Sequence, residues 1–183
     1  MVISRPIQPS PSTESKDNMA TTYEKIATTT LGSAAADITF SSISASYTDL
    51  RLVFVGVGAS AGDVPAIRLN SDSGTNYSRT YLTGNGTAAS SNRSTSSNRI
   101  ACGDAGDSTT IPSFNTVDIF SYAGSTNKTV LVTSSEDQNG SGKVTRTVGL
   151  WRNTAAITSI QIFNPSYNLG AGYTATLYGI LKA

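Results

Sequence analysis

Residues 144–152 read Val144-Thr145-Arg146-Thr147-Val148-Gly149-Leu150-Trp151-Arg152. Val144, Arg146 and Val148 share one side of this run, while Thr145, Thr147 and Gly149 share the other. Successive side chains of an extended chain point to opposite faces, so this period of two reads as a β-strand. The run 50–58, LRLVFVGVG, is apolar on both faces apart from Arg51. That pattern predicts a central strand lying between two packed layers.

Working outward, the same texture of short β-prone runs punctuated by Gly, Asn, Asp and Ser recurs from Tyr23 onward, giving about nine or ten candidate strands. Besides 50–58 and 144–152 they cover residues 24–30, 37–40, 66–70, 77–83, 116–122, 129–134, 157–163 and 173–181. No stretch sustains a 3.6-residue period with caps, although residues 33–36 and 155–157 have room for a helical turn. Evenly spaced strands without helices predict an all-β fold, here a single jelly-roll-like β-sandwich over residues 22–183.

Residues 1–21 differ in kind. Pro6, Pro9 and Pro11 stand among Ser, Thr, Asp and Lys, a composition that favours extended backbone and buries little. They are expected to form an N-terminal arm added to a domain that begins near Tyr23. Val2, Ile3 and Ile7 flank Arg5 and Pro6, a short apolar stretch suited to adding a strand to the edge of a neighbour's sheet. A segment of this composition orders against a partner. Docking on a neighbouring subunit is therefore expected, with folding back on its own domain as the alternative.

The composition excludes several functions. Thirteen Lys and Arg against twelve Asp and Glu leave a net charge of +1, too small a field to draw in nucleic acid or an anionic membrane. The sequence has no His and a single Cys, Cys102, so neither a disulfide framework nor the usual zinc and non-haem iron sites can be built. The first residues lack the apolar region of a signal peptide, and no run of about 18 apolar residues follows, so the chain is expected to be soluble and unprocessed.

Candidate chemistry is sparse. Residues 70–76, NSDSGTN, place oxygen-bearing side chains around a Gly as a calcium loop does, but lack the closing bidentate Glu and read as a polar turn. Asp63, Asp104 and Asp107 lie in Gly-rich loops with no spacing that marks an acid and base pair. Glu136 to Gly140 reads as a hairpin tip with a type I′ Asn-Gly turn. Cys102 has no histidine to activate it and is expected to be a buried thiol at a strand end. Gly56-Val57-Gly58 is half a dinucleotide fingerprint without its helix, hence a strand end. Trp151, Tyr167, Tyr173 and Tyr178 are candidates for a sugar-stacking platform if exposed, or for core and interface if not. Residues 83–99, TGNGTAASSNRSTSSNR, read as a long polar loop in which Arg93 and Arg99 offer charged contacts to a partner protein or a sibling subunit. No cofactor and no enzyme activity are expected.

Three segments together, YEKIATTTLGSAAADITFSSISASYTDLRLVFVG, IRLNSDSGTNYSRTYLTGNG and SIQIFNPSYNLGAGYTATLYGIL, resemble a group of small structural proteins of tailed bacteriophages. The resemblance covers most of residues 23–183 and not the arm. It implies a β-sandwich component of the virion, one that decorates or cements the capsid or belongs to a tail appendage, and it brings no catalytic residues. The Pro-rich arm favours the capsid exterior, with the major capsid protein and sibling subunits as partners and a trimer or dimer as the oligomer. The alternative is a tail fibre or receptor-binding module that recognises host glycans.

Overall fold

The computed structural model describes residues 22–103 and 108–181. The expected arm, with Val2, Ile3, Arg5, Pro6 and Ile7, lies outside the described residues, as do Asp104 and Asp107. Within them the chain forms twelve strands and no helix. These are β1 (Tyr23–Thr30), β2 (Asp37–Phe40), β3 (Asp49–Gly56), β4 (Ala66–Leu69), β5 (Tyr77–Gly84), β6 (Ala89–Ser97), β7 (Ile100–Ala101), β8 (Ser113–Ile119), β9 (Lys128–Glu136), β10 (Lys143–Trp151), β11 (Ile160–Phe163) and β12 (Thr174–Ile180).

The strands build two antiparallel sheets, one of eight strands in the order β1-β12-β3-β8-β9-β10-β5-β6 and one of four in the order β2-β11-β4-β7. A single apolar cluster draws on both. Leu50, Leu52 and Phe54 of β3, Val117 and Ile119 of β8, and Val130 and Val132 of β9 come from the large sheet. Ile38 and Phe40 of β2, Ile67 and Leu69 of β4, and Ile160 and Ile162 of β11 come from the small one. These are alternate residues along each strand, so each sheet turns one face inward, as two packed layers require.

Two expectations are corrected. β3 is not buried on both faces: Leu50, Leu52 and Phe54 are fully buried, whereas Val55 on the opposite face is 37% exposed. Among the described residues only one layer covers the strand, and its apolar outer residues face away from the core. The polar loop expected over residues 83–99 is largely a strand, β6, paired antiparallel with β5 from Gly84↔Ala89 to Tyr77↔Ser97. Its turn is closed by Asn85, whose backbone N–H donates to Ala88 O at 3.2 Å. Asn85 Oδ1 accepts from Thr87 N and Ala88 N. β6 is a sheet edge exposed on both faces, so its sequence carries no apolar alternation to read.

Other expectations hold. Asn139 and Gly140 both take positive φ, at 53° and 91°, and Ser141 N donates to Gln138 O, the signature of a type I′ turn at the tip of the β9–β10 hairpin. Cys102 is fully buried and follows β7 directly.

Candidate binding face

Seven large apolar residues are exposed among those described: Tyr23, Val55, Leu82, Phe114, Phe120, Val144 and Val148, at 37% to 59% of their area. All seven occupy outward positions of the eight-stranded sheet, Phe120 one residue beyond the end of β8. Strand register places them. One row runs Thr174, Val55, Phe114, Ser135, Val144 and Gly84. The next runs Thr176, Val53, Thr116, Thr133, Arg146 and Leu82. A third runs Tyr178, Arg51, Asp118, Leu131, Val148, Thr80 and Arg93. Directly opposed residues in a sheet have neighbouring side chains, so Val144, Val148, Leu82 and Leu131 form one patch with Arg146 in its midst. Scattered exposed apolar residues are ordinary on a protein surface; gathered on one sheet face, they make that face a candidate interaction surface.

The charges on this face are unevenly compensated. Arg51 pairs with Asp118 through two hydrogen bonds, Nε to Oδ1 at 2.6 Å and Nη2 to Oδ2 at 3.0 Å, and lies over the Tyr23 ring. That bond to Asp118 raises the Arg51 pKa further. Arg146 donates only to the Thr133 hydroxyl, and neither it nor Arg93 has an acidic partner among the described residues. Both are exposed.

The inner face changes character along the sheet. Under the small sheet it is apolar, but the row Phe54, Asn115, Ser134, Thr145 and Thr83 becomes polar toward β5. Thr83 and Thr145 share a hydroxyl hydrogen bond of 2.9 Å. Asn115 Oδ1, Glu136 Oε2 and Thr147 Oγ1 are buried with no partner among the described residues.

The other sequence candidates resolve as structure. In the turn at residues 70–76 the side-chain oxygens of Asn70 and Asp72 are taken by protein donors. Asp72 accepts from Trp151 Nε1 at 2.7 Å, from Gly74 N at 2.9 Å and from Asn76 Nδ2. The bond from Trp151, opposed by partial burial and helped by Asn76 and Gly74, holds the Asp72 carboxyl below the ordinary aspartate range. Asn70 Oδ1 accepts from Thr158 N and Ser159 N while its Nδ2 donates to Ala156 O, which ties this turn to the segment entering β11. Asp63 caps its own loop, accepting from Val64 N and the Ser166 hydroxyl.

The aromatic quartet does not form a platform. Trp151 and Tyr173 are fully buried, Trp151 stacked on Tyr77 and Tyr173 on Phe54. Tyr178 points outward from β12 and Tyr167 lies in the loop before it, its hydroxyl beside Gly62. Arg93 and Arg99 also part company. Arg93 projects from the outer face of β6, whereas Arg99 sits half-buried before β7, bonded through Nη1 to Asn98 Oδ1 with its Nε buried and unpartnered.

Sequence reading missed two features. Lys128 is completely buried, and its ammonium donates to Gly124 O at 2.6 Å, to Thr126 O and to Thr154 O at 3.3 Å. Burial lowers its pKa. The second is the outward apolar patch, whose signal was present in the pattern Val-x-Arg-x-Val of β10 set against small Thr and Gly on the other side. Compared with family models, curated proteins and solved structures, the chain matches none.

Proposed function

We propose that this chain is a bacteriophage virion structural protein that works by binding rather than catalysis: a capsid decoration or cement protein on the outside of the shell. Its partners are the major capsid protein and its own copies, assembled as a trimer or dimer. The observation that carries this reading is the gathering of all seven large apolar residues exposed among those described on the outward face of one sheet. A protein that acts by covering others needs a broad, shallow surface of this kind more than a deep cleft. Many symmetric copies would make individually weak contacts hold, because linked binding events multiply.

The strand orders lend support. Within the eight-stranded sheet the run β1-β12-β3-β8, set against β2-β11-β4-β7, has the order in which the eight strands of a jelly roll pair. On this reading the β5–β6 and β9–β10 hairpins are additions that widen one sheet, and the binding patch lies mostly on those additions. Jelly rolls serve in viral capsids and in lectins.

The test is cryo-electron microscopy of intact virions carrying the natural chain, a Val144→Asp/Val148→Asp variant, or a variant lacking residues 1–18. Density on the shell that thins or vanishes in the face variant is expected, and thinning in the truncated one would assign the arm a share of the binding. Density confined to the tail would overturn the capsid reading and support a receptor-binding module.

A further inference from the structure

Resting on that binding face, the geometry points to a specific kind of partner: we infer that the outer face across β10, β5 and β6 takes an extended polypeptide segment in which an apolar side chain is flanked by two carboxylates. The receiving surface has an apolar floor. A hollow of about 300 Å³ is lined by Leu82, Leu131, Val148, Thr80 and Arg146. A second, of about 310 Å³, adjoins it through Thr80 and is lined by Ser91, Asn92 and Arg93. Arg146 thus lines the first hollow and Arg93 the second, with Leu82 and Thr80 of β5 on the diagonal between them.

The register fixes the spacing of the two arginine backbones; the Arg146 guanidinium leans toward Thr133 of β9, from which a ligand carboxylate would draw it back over β10. Arg146 on β10 opposes Leu82 on β5, and Arg93 on β6 opposes Thr80, two residues along β5 from Leu82. Two strand spacings of about 4.8 Å across and one two-residue step of about 6.8 Å along place the arginine Cα atoms about 12 Å apart. An extended segment advances about 3.3 Å per residue, so residues four apart lie about 13 Å apart and, with the residue midway between them, point to the same side. Acidic, any, apolar, any, acidic is therefore the pattern that sets two carboxylates on the guanidiniums and one apolar side chain into the hollow. Guanidinium and carboxylate are matched in shape as well as charge.

The same charges argue against a second copy seated face to face. Arg146 and Arg93 have no acid beside them among the described residues, so a self-docked patch would bring unpaired guanidiniums together. A segment of the pattern above removes that repulsion and covers Leu82 and Val148 at once.

The experiment is a titration of the isotope-labelled full chain with the blocked peptide Gly-Glu-Thr-Leu-Thr-Glu-Gly, followed by NMR. Control peptides carry Gln or Lys in place of both Glu. Saturable shifts at Leu82, Val148, Arg146 and Arg93 are expected with the Glu peptide, with binding weakened about tenfold for the Gln peptide and abolished for the Lys peptide. The Arg93→Glu/Arg146→Glu chain, changed at two exposed positions, should reverse the preference toward the Lys peptide. Equal response to Glu and Lys peptides, or no saturable shift at millimolar peptide, would overturn the inference. Shifts of the face with protein concentration alone would also overturn it, in favour of a second copy. The titration succeeds or fails wherever the virion density lies, so this inference and the capsid reading fall separately.

Discussion

Replacing Asp72 by Ala tests the account of residues 70–76 as a structural turn. The carboxylate accepts from the indole N–H of Trp151 at 2.7 Å, and Trp151 is fully buried at the end of β10. A hydrogen bond to a charged acceptor contributes about 1.5–3 kcal/mol, and the bonds from Gly74 and Asn76, which are exposed, add about 0.5–1 kcal/mol between them. The loss on substitution is therefore roughly 2–4 kcal/mol, a large part of the 5–15 kcal/mol typical of a domain. Urea unfolding followed by the fluorescence of Trp151, the only tryptophan, would read it directly. Asp72→Asn keeps one acceptor oxygen and should recover about half the loss. The pH arm has a definite sign. A carboxyl whose folded pKa lies below its unfolded value stabilises the fold above the unfolded value of about 3.9 and loses that contribution as pH falls through the folded value. The gap between the natural chain and Asp72→Asn should therefore close only in acid, below pH ~4. A loss under about 0.5 kcal/mol for Asp72→Ala, or a gap unchanged on acidification, would refute the assignment of the carboxylate as the anchor of Trp151.

Three further outcomes follow from the geometry. Thr147 Oγ1 is buried without a partner, so Thr147→Val, which keeps the shape and removes the hydroxyl, should raise stability by about 1 kcal/mol in the same urea assay; a loss would mean the hydroxyl is bonded. Lys128→Met strands three backbone carbonyls and should cost about 1–3 kcal/mol, seen as a lower denaturation midpoint, whereas an unchanged midpoint would show that the ammonium contributes no net stability. A Cβ on Gly179 would lie 2.3 Å from the Tyr47 ring, so Gly179→Val should depress the melting temperature by several degrees, about 1–3 kcal/mol of overpacking, while Gly84→Val, where nothing lies within 4 Å, should not.

Much of the fold was legible because strands write themselves into sequence as a period of two, and turns as Asn-Gly pairs and polar clusters. The runs at residues 37–40, 66–70 and 77–83 became β2, β4 and β5 with ends shifted by at most one residue. β6 was not legible, since a strand exposed on both faces needs no apolar side and its Ser, Thr and Asn read as a loop. The buried Lys128 was equally hidden, because its three carbonyl acceptors come from residues 124, 126 and 154, and chain folding alone brings the last of them near.

By itself the sequence determined that β10 has two unlike faces, Val144, Arg146 and Val148 on one and Thr145, Thr147 and Gly149 on the other. Which face turns inward was decided by tertiary structure, and it is the one that looks less apolar. A Cβ on Gly149 would stand 2.8 Å from Ile100 of β7, so the strand must present its smallest residue where β7 comes closest. Thr145 and Thr147 follow Gly149 inward by register and are buried, which leaves the two valines in solvent, 59% and 47% exposed. Burial of Trp151, which shares the inward side with Thr145, Thr147 and Gly149, and the close approach of β7 at Gly149 together outweighed the exposure of the two valines, and the face that resulted is the one proposed to bind.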